Sequence, residues 1–191
     1  MAIAHEHLSL EEFLQLPEEE PSLEYVNGVI TQKPVPKVEH SAIQTGLARR
    51  VDDFGVPQRV ARAFVELRVT FASVSRVPEV SIFEWLRIPM DNRGYLAEAF
   101  EPPDVAIEIG SPDQSLNVLR QKCFWYVAKG VRVAALIDPE GMKISMFRPQ
   151  SMPVVLGIGD RIDLDDVLPD MGLSVDEVFG WLRADVSQPI G

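Results

Sequence analysis

Cysteine is almost missing from this chain. Cys123 stands alone, which excludes an intramolecular disulfide and a cysteine-based zinc site. Cations are also scarce: 18 Lys and Arg stand against 29 Asp and Glu, a formal net charge of −11. Proteins that grip nucleic acid through many phosphate contacts usually carry a basic face. The imbalance therefore weighs against a DNA-binding module more than against a metal-dependent enzyme, whose ion would offset phosphate charge. Apolar runs fall far short of bilayer length, and no internal repeat, low-complexity segment or domain boundary is visible. The N-terminal MAIAHEHLSLEEF lacks the basic flank and apolar core of a signal peptide. These absences predict a cytoplasmic protein with no membrane segment. What is present, 46% hydrophobic and 25% charged residues over 191 positions, suits one globular domain spanning 1–191.

The most informative stretch is EPPDVAIEIGSPDQSLNVLRQKCFWY, from Glu101 to Tyr126. A Pro-Pro break opens a short apolar run that contains one acid, Glu108, followed by a Gly-Ser-Pro turn and a helix carrying Lys122. A carboxylate inside a buried strand is costly unless a cation, a metal ion or a raised pKa compensates it. Those compensations concentrate at functional sites.

Around this stretch the pattern predicts helices and strands in alternation. Ser9 with Glu12 fits a capping box for a short helix stopped by Pro17. Asn27-Gly28 marks a hairpin with Glu24 on its first arm. Ile43, Leu47, Val51 and Phe54 recur at helical spacing, with Arg49 and Arg50 toward the outside. QRVARAFVELRVTF reads as one or two strands, and VPEVSIF as another. Residues 84–103 read as a long mobile loop. DVAIEI is a strand, Ser115 to Lys129 a helix closed by Gly130, and VRVAALID a strand buried on both faces. MKISMFR pairs with it across Asp138-Pro139-Glu140-Gly141, one or two short strands follow between Val154 and Ile162, and Ser174 with Glu177 opens a last helix ending near Arg183. The sum is a mixed α/β fold: a central mixed sheet flanked by helices, with an N-terminal helix and β-hairpin.

Alternate side chains of a strand share a face. Glu79 opens VPEVSIF and Glu108 closes DVAIEI, so adjacent antiparallel strands would bring both acids to one sheet edge. Two carboxylates converging near a lysine make a hard, oxygen-rich site suited to magnesium or manganese.

These residues carry a resemblance. The chain resembles the Uma2 family, formerly a domain of unknown function, within the PD-(D/E)xK nuclease superfamily. The resemblance runs from LEYVNGVI through PEVSIF and PPDVAIEIGSP to Lys122, Tyr126, AKGV and LPDMGLSVDEVF. It implies a restriction-endonuclease-like core and a Mg²⁺- or Mn²⁺-dependent hydrolase of phosphodiester bonds. It also implies a homodimer whose substrate is nucleic acid, DNA first, held weakly given the acidic charge. The implied catalytic residues are Glu24, Glu79, Glu108 and Lys122, with Glu79, Glu108 and Glu24 around the metal. Two departures stand out. Gly110 occupies the position two after the last glutamate where the superfamily lysine normally lies, so that the lysine comes from the following helix. Glu79 stands where aspartate is usual.

Each residue also has a plain structural reading. Glu108 could pair with an arginine at a strand end, Lys122 could lie on a solvated helix face beside Arg120 and Lys129, and Glu24 could flank a turn. Asp104 reads as a strand-opening residue, about 13 Å along the strand from Glu108. His40 reads as a helix-start residue packing locally or meeting solvent, Cys123 as core, Arg49 and Arg50 as a solvated face. Trp85 and Tyr95 could stack on a base or simply belong to a surface loop. His5 and His7 receive no role. Two other functions fit the same sequence: a catalytically silent binding or regulatory module, and a metal-dependent hydrolase of a smaller substrate.

Overall fold

A computed structural model describes residues 8–112 and 114–184; His5 and His7 lie outside the described residues. Ser9 caps α1 (Leu10–Leu14) in a reciprocal box with Glu12, satisfying N–H groups that a helix start leaves free. Asn27 and Gly28 take φ of 50° and 84° and turn β1 (Leu23–Val26) into β2 (Val29–Gln32). A second tight turn lacks that signature. Ala72 and Ser73 take φ of 50° and 61° between β4 (Val69–Phe71) and β5 (Val74–Arg76), and β5 escapes the sequence reading for that reason. The four strands form an antiparallel sheet in the order β2-β1-β5-β4.

The central sheet has six strands: β3 (Ala61–Val65), β6 (Val80–Glu84), β7 (Val105–Ile109), β8 (Val133–Asp138), β9 (Lys143–Phe147) and β10 (Val154–Leu156). Their order is β10-β9-β8-β7-β6-β3, parallel at β7–β8 and antiparallel elsewhere. Parallel neighbours need a crossover, and α3 (Leu116–Ala128) supplies it. One face is covered by α2 (Val38–Gln58), through Ile43, Leu47 and Val51, and by α4 (Val175–Gly180). The other is covered by α3, through Leu119, Cys123 and Tyr126. Full burial of each such aliphatic side chain contributes about 1.5–3 kcal/mol, so the central sheet is a stiff platform. This is the predicted mixed sheet flanked by helices.

Two expectations need correction. The segment 84–103 is tied down: it holds a 3₁₀ turn (Trp85–Arg87), bridges Met90↔Leu96 and Val69↔Ala99, and buried Ile88 and Ala99. The last helix stops at Gly180, short of Arg183. Ser174 accepts from the Glu177 amide as expected, while the Glu177 carboxylate turns to Arg50 at 2.9 Å. Among the described residues no helix is long and apolar enough to cross a membrane.

Candidate active site

Strands β6 and β7 are adjacent and antiparallel, with Val80 opposite Ile107. Just beyond that ladder the Glu79 N–H donates to the Ile107 carbonyl at 3.0 Å, which holds Glu79 at the end of β7 that carries Glu108. The two acids thus come to one end of the central sheet, as their strand positions predict.

Glu108 is buried, 1% exposed. Lys122 Nζ lies 3.0 Å from each of its oxygens, and the Tyr126 hydroxyl donates to Oε1 at 2.8 Å. Lys122 and Tyr126 are four residues apart on α3 and so share a helix face. Lys122 also lies 2.8 Å from Glu24 Oε1, which accepts the Val77 N–H at 2.9 Å. Arg76 stands 3.6 Å from the other Glu24 oxygen and stacks over Trp125, 4.9 Å from the ring centre. A surface lysine is thereby excluded: Lys122 is buried between two carboxylates from different sheets.

Glu79 has its own company. Lys33 Nζ is 2.9 Å and His40 Nε2 3.1 Å from Glu79 Oε2, and Gln44 donates to the same oxygen at 3.3 Å and to the Glu79 carbonyl at 3.1 Å. Lys33 also donates to the Val77 carbonyl at 3.1 Å. Sequence reasoning missed Lys33, which follows β2 with no periodicity to betray it. It also misplaced His40, which is buried at the site and neither packs idly nor meets solvent. One signal was available, since His40 and Gln44 continue the apolar stripe of Ile43, Leu47 and Val51 at helical spacing.

Electrostatics follows from this arrangement. Burial pushes the Glu24 carboxyl up, but Lys122, the Val77 amide and Arg76 outweigh it and hold it below the usual range. Glu79 is likewise lowered: burial opposes, His40 and Lys33 prevail. Glu108 is raised, by burial and then by the charges of Glu24 and Glu79, against the pull of Lys122. Burial disfavours the Lys122 ammonium, yet Glu108 and Glu24 more than compensate, and its pKa lies above that of a free lysine. The pairing favours the ammonium form, which can donate hydrogen bonds and stabilise negative charge.

Of the three expected ligands, Glu79 leaves the most room for a hard divalent cation. Glu79 and Glu108 are oxygen donors at one sheet end, and the Glu79 contacts converge on Oε2. The oxygens of Glu24 face Lys122, the Val77 amide and Arg76, and those of Glu108 face Lys122 and Tyr126, so a cation at either would have to displace Lys122. Among the described residues no three acidic, histidine or cysteine side chains converge as a ligand shell.

Comparison with known proteins decides the kinship. The family model described as "Uma2: Putative restriction endonuclease" matches residues 10–176. The chain belongs to the Uma2 family. A solved structure described as a "putative nuclease belonging to DUF820" from Anabaena variabilis ATCC 29413 is 39% identical and superposes with a TM-score of 0.88. The match covers 92% of this chain and 99% of that one. No curated protein matches.

Other candidates in this Uma2 chain fall outside the cluster. Asp104 is buried at the opposite end of β7, where it pairs with Arg87, lies 3.6 Å from Arg132 and accepts the Glu84 N–H at 2.8 Å. Its role is structural. Arg49 is solvated, as expected, and Arg50 ties α2 to Glu177. Cys123 is core. Trp85 packs against the α3-side core, and Tyr95 is exposed beside Arg93.

Proposed function

We propose that this chain is a nuclease-like hydrolase that cuts phosphodiester bonds in nucleic acid, with Glu79, Glu108 and Lys122 as its reacting groups. The observation that carries this reading is the buried Lys122 ammonium, held against Glu108 at the sheet end that also bears Glu79. Magnesium or manganese, held by Glu79 and Glu108, would polarise the phosphodiester and acidify a bound water. Lys122 supplies fixed positive charge toward a developing anion. Glu24 and Tyr126 position that lysine and its carboxylate partner, while Lys33, His40 and Gln44 hold Glu79. The experiment is incubation of supercoiled and single-stranded DNA with Mg²⁺ or Mn²⁺, for wild type and Glu108→Gln. Nicking by wild type alone is expected; equal and complete inertness of both sinks the hydrolase.

A second reading, the silent binding or regulatory module, is favoured by one observation: Lys122 engages both Glu108 oxygens, so a metal ion would have to displace it. Titration of Mn²⁺ into wild type and Glu108→Ala separates the two, because the silent module predicts no difference. Metal binding without DNA cleavage would point to the third reading, a smaller phosphodiester or related substrate. DNA as the preferred nucleic acid, a cytoplasmic location and a homodimer belong to the same proposal. Sedimentation at micromolar concentration tests the last.

A further inference from the structure

A cavity of about 450 Å³ lies beside the site, walled by the first turn of α2, the Gly110-Ser111-Pro112 turn after β7, the start of α3 and the turn after β8. Its size falls in the range of small-ligand sites. Residues from the first turns of two long helices line it: Glu39 and His40 from α2, Leu116 from α3. Each helix start leaves backbone N–H groups without intrahelical acceptors, and the residues at the two cap positions, Lys37 and Ser115, give no side-chain cap to them. Two partial positive charges thus meet on one cavity.

One buried side chain points to a ligand independently of the helices. Ser111, 8% exposed, lines the cavity, and its Oγ has no hydrogen-bond partner among the described residues. His40 lines it too, with Nε2 turned to Glu79. Buried polar atoms are almost always satisfied, so the orphan hydroxyl on this wall calls for an external group.

We propose that this cavity is a backbone-phosphate subsite, holding an internal, singly charged phosphodiester of the strand next to the bond that Glu79 and Glu108 address. The proposal rests on the hydrolase reading for its substrate. The donors, helix-start amides and the Ser111 hydroxyl, are neutral, which lets a protein of net charge −11 hold phosphate without an extended basic face. Lys37, Glu39, Asp138 and Glu140 also line the cavity, one cation against three carboxylates. Their net charge opposes a dianionic terminal phosphate, of about −1.5 to −2, more than a diester. The subsite therefore selects phosphates within a chain over phosphates at its end, the preference of an endonuclease.

The test is NMR titration of the ¹⁵N-labelled full chain, without divalent ions, with thymidylyl-thymidine and with thymidine 5′-monophosphate. The dinucleotide should move the amides of Glu39, His40, Leu116 and Asn117 and bind more tightly than the monophosphate. Ser111→Ala should weaken it about tenfold, the scale of one hydrogen bond to a charged group. Shifts scattered over other surfaces, tighter binding of the monophosphate, or unchanged affinity in Ser111→Ala would each overturn the subsite. Binding at these amides by an enzyme that cuts nothing would leave the subsite standing and remove the hydrolase. Cleavage with those amides unmoved would do the reverse.

Discussion

Lys122 Nζ sits equidistant, at 3.0 Å, from the two carboxylate oxygens of Glu108, fourteen residues earlier in the chain. Removing one partner of a buried ion pair leaves an uncompensated charge and costs about 3–5 kcal/mol. Lys122→Met should lose stability on that scale in urea unfolding. Adding Glu24→Gln should restore part of it, because the repulsion between Glu24 and Glu108 then disappears. A loss under about 1 kcal/mol in the single variant would mean the ammonium is not what holds the carboxylates.

The pH dependence has two limbs. Glu24 and Glu79 are lowered in the fold, so their stabilisation is complete above the unfolded value, about 4.3, and is lost as pH falls through their lower folded values. Lys122 is raised, so its stabilisation is complete below about 10.4 and is lost above it. Thermal unfolding should therefore show a fall below about pH 4 and another above about pH 10. Glu79→Gln should make the acid limb shallower; an acid limb unchanged in that variant would contradict the assigned direction.

Asp104 and Glu108 lie at opposite ends of the same strand and have different uses. Asp104→Ala should destabilise by about 3 kcal/mol or more through the orphaned Arg87 contact, and calorimetry should find its Mn²⁺ binding equal to wild type. Glu108→Ala should lose that binding.

Gly55 lets the end of α2 press against β3. A Cβ there would collide with the Ala61 carbonyl oxygen, a backbone atom with little freedom to move. Gly55→Ala should cost about 1–3 kcal/mol, in contrast to the usual gain from alanine in a helix. Chemical denaturation measures it, and a stabilised variant would show that the helix end is free to lift.

Much of the fold was legible where one local rule coincided with the tertiary outcome. Asn27-Gly28, Ser9 with Glu12 and the near-continuous apolar run of β8 each carry their geometry in their chemistry. β5 was not legible, because Ala72 and Ser73 adopt left-handed φ under tertiary constraint. At the site, the arrival of Glu79 and Glu108 at one end of the sheet followed from their strand positions and antiparallel pairing. Lys33 and His40 did not, since a lysine after a hairpin and a histidine in a first helical turn resemble surface residues until the acid between them is placed.

Val77, Pro78 and Glu79 are the whole of the chain between β5 and β6. This splice joins the outer sheet, which bears Glu24, to the central one, which bears Glu108, and its own backbone clasps Glu24 and Lys33. The two sheets are therefore geared, unable to slide past one another like loosely tethered plates. Extra residues at the Asn27-Gly28 tip would leave that mesh intact, whereas a single insertion in the splice would shift one tooth by about 3.3 Å and unlock the cluster.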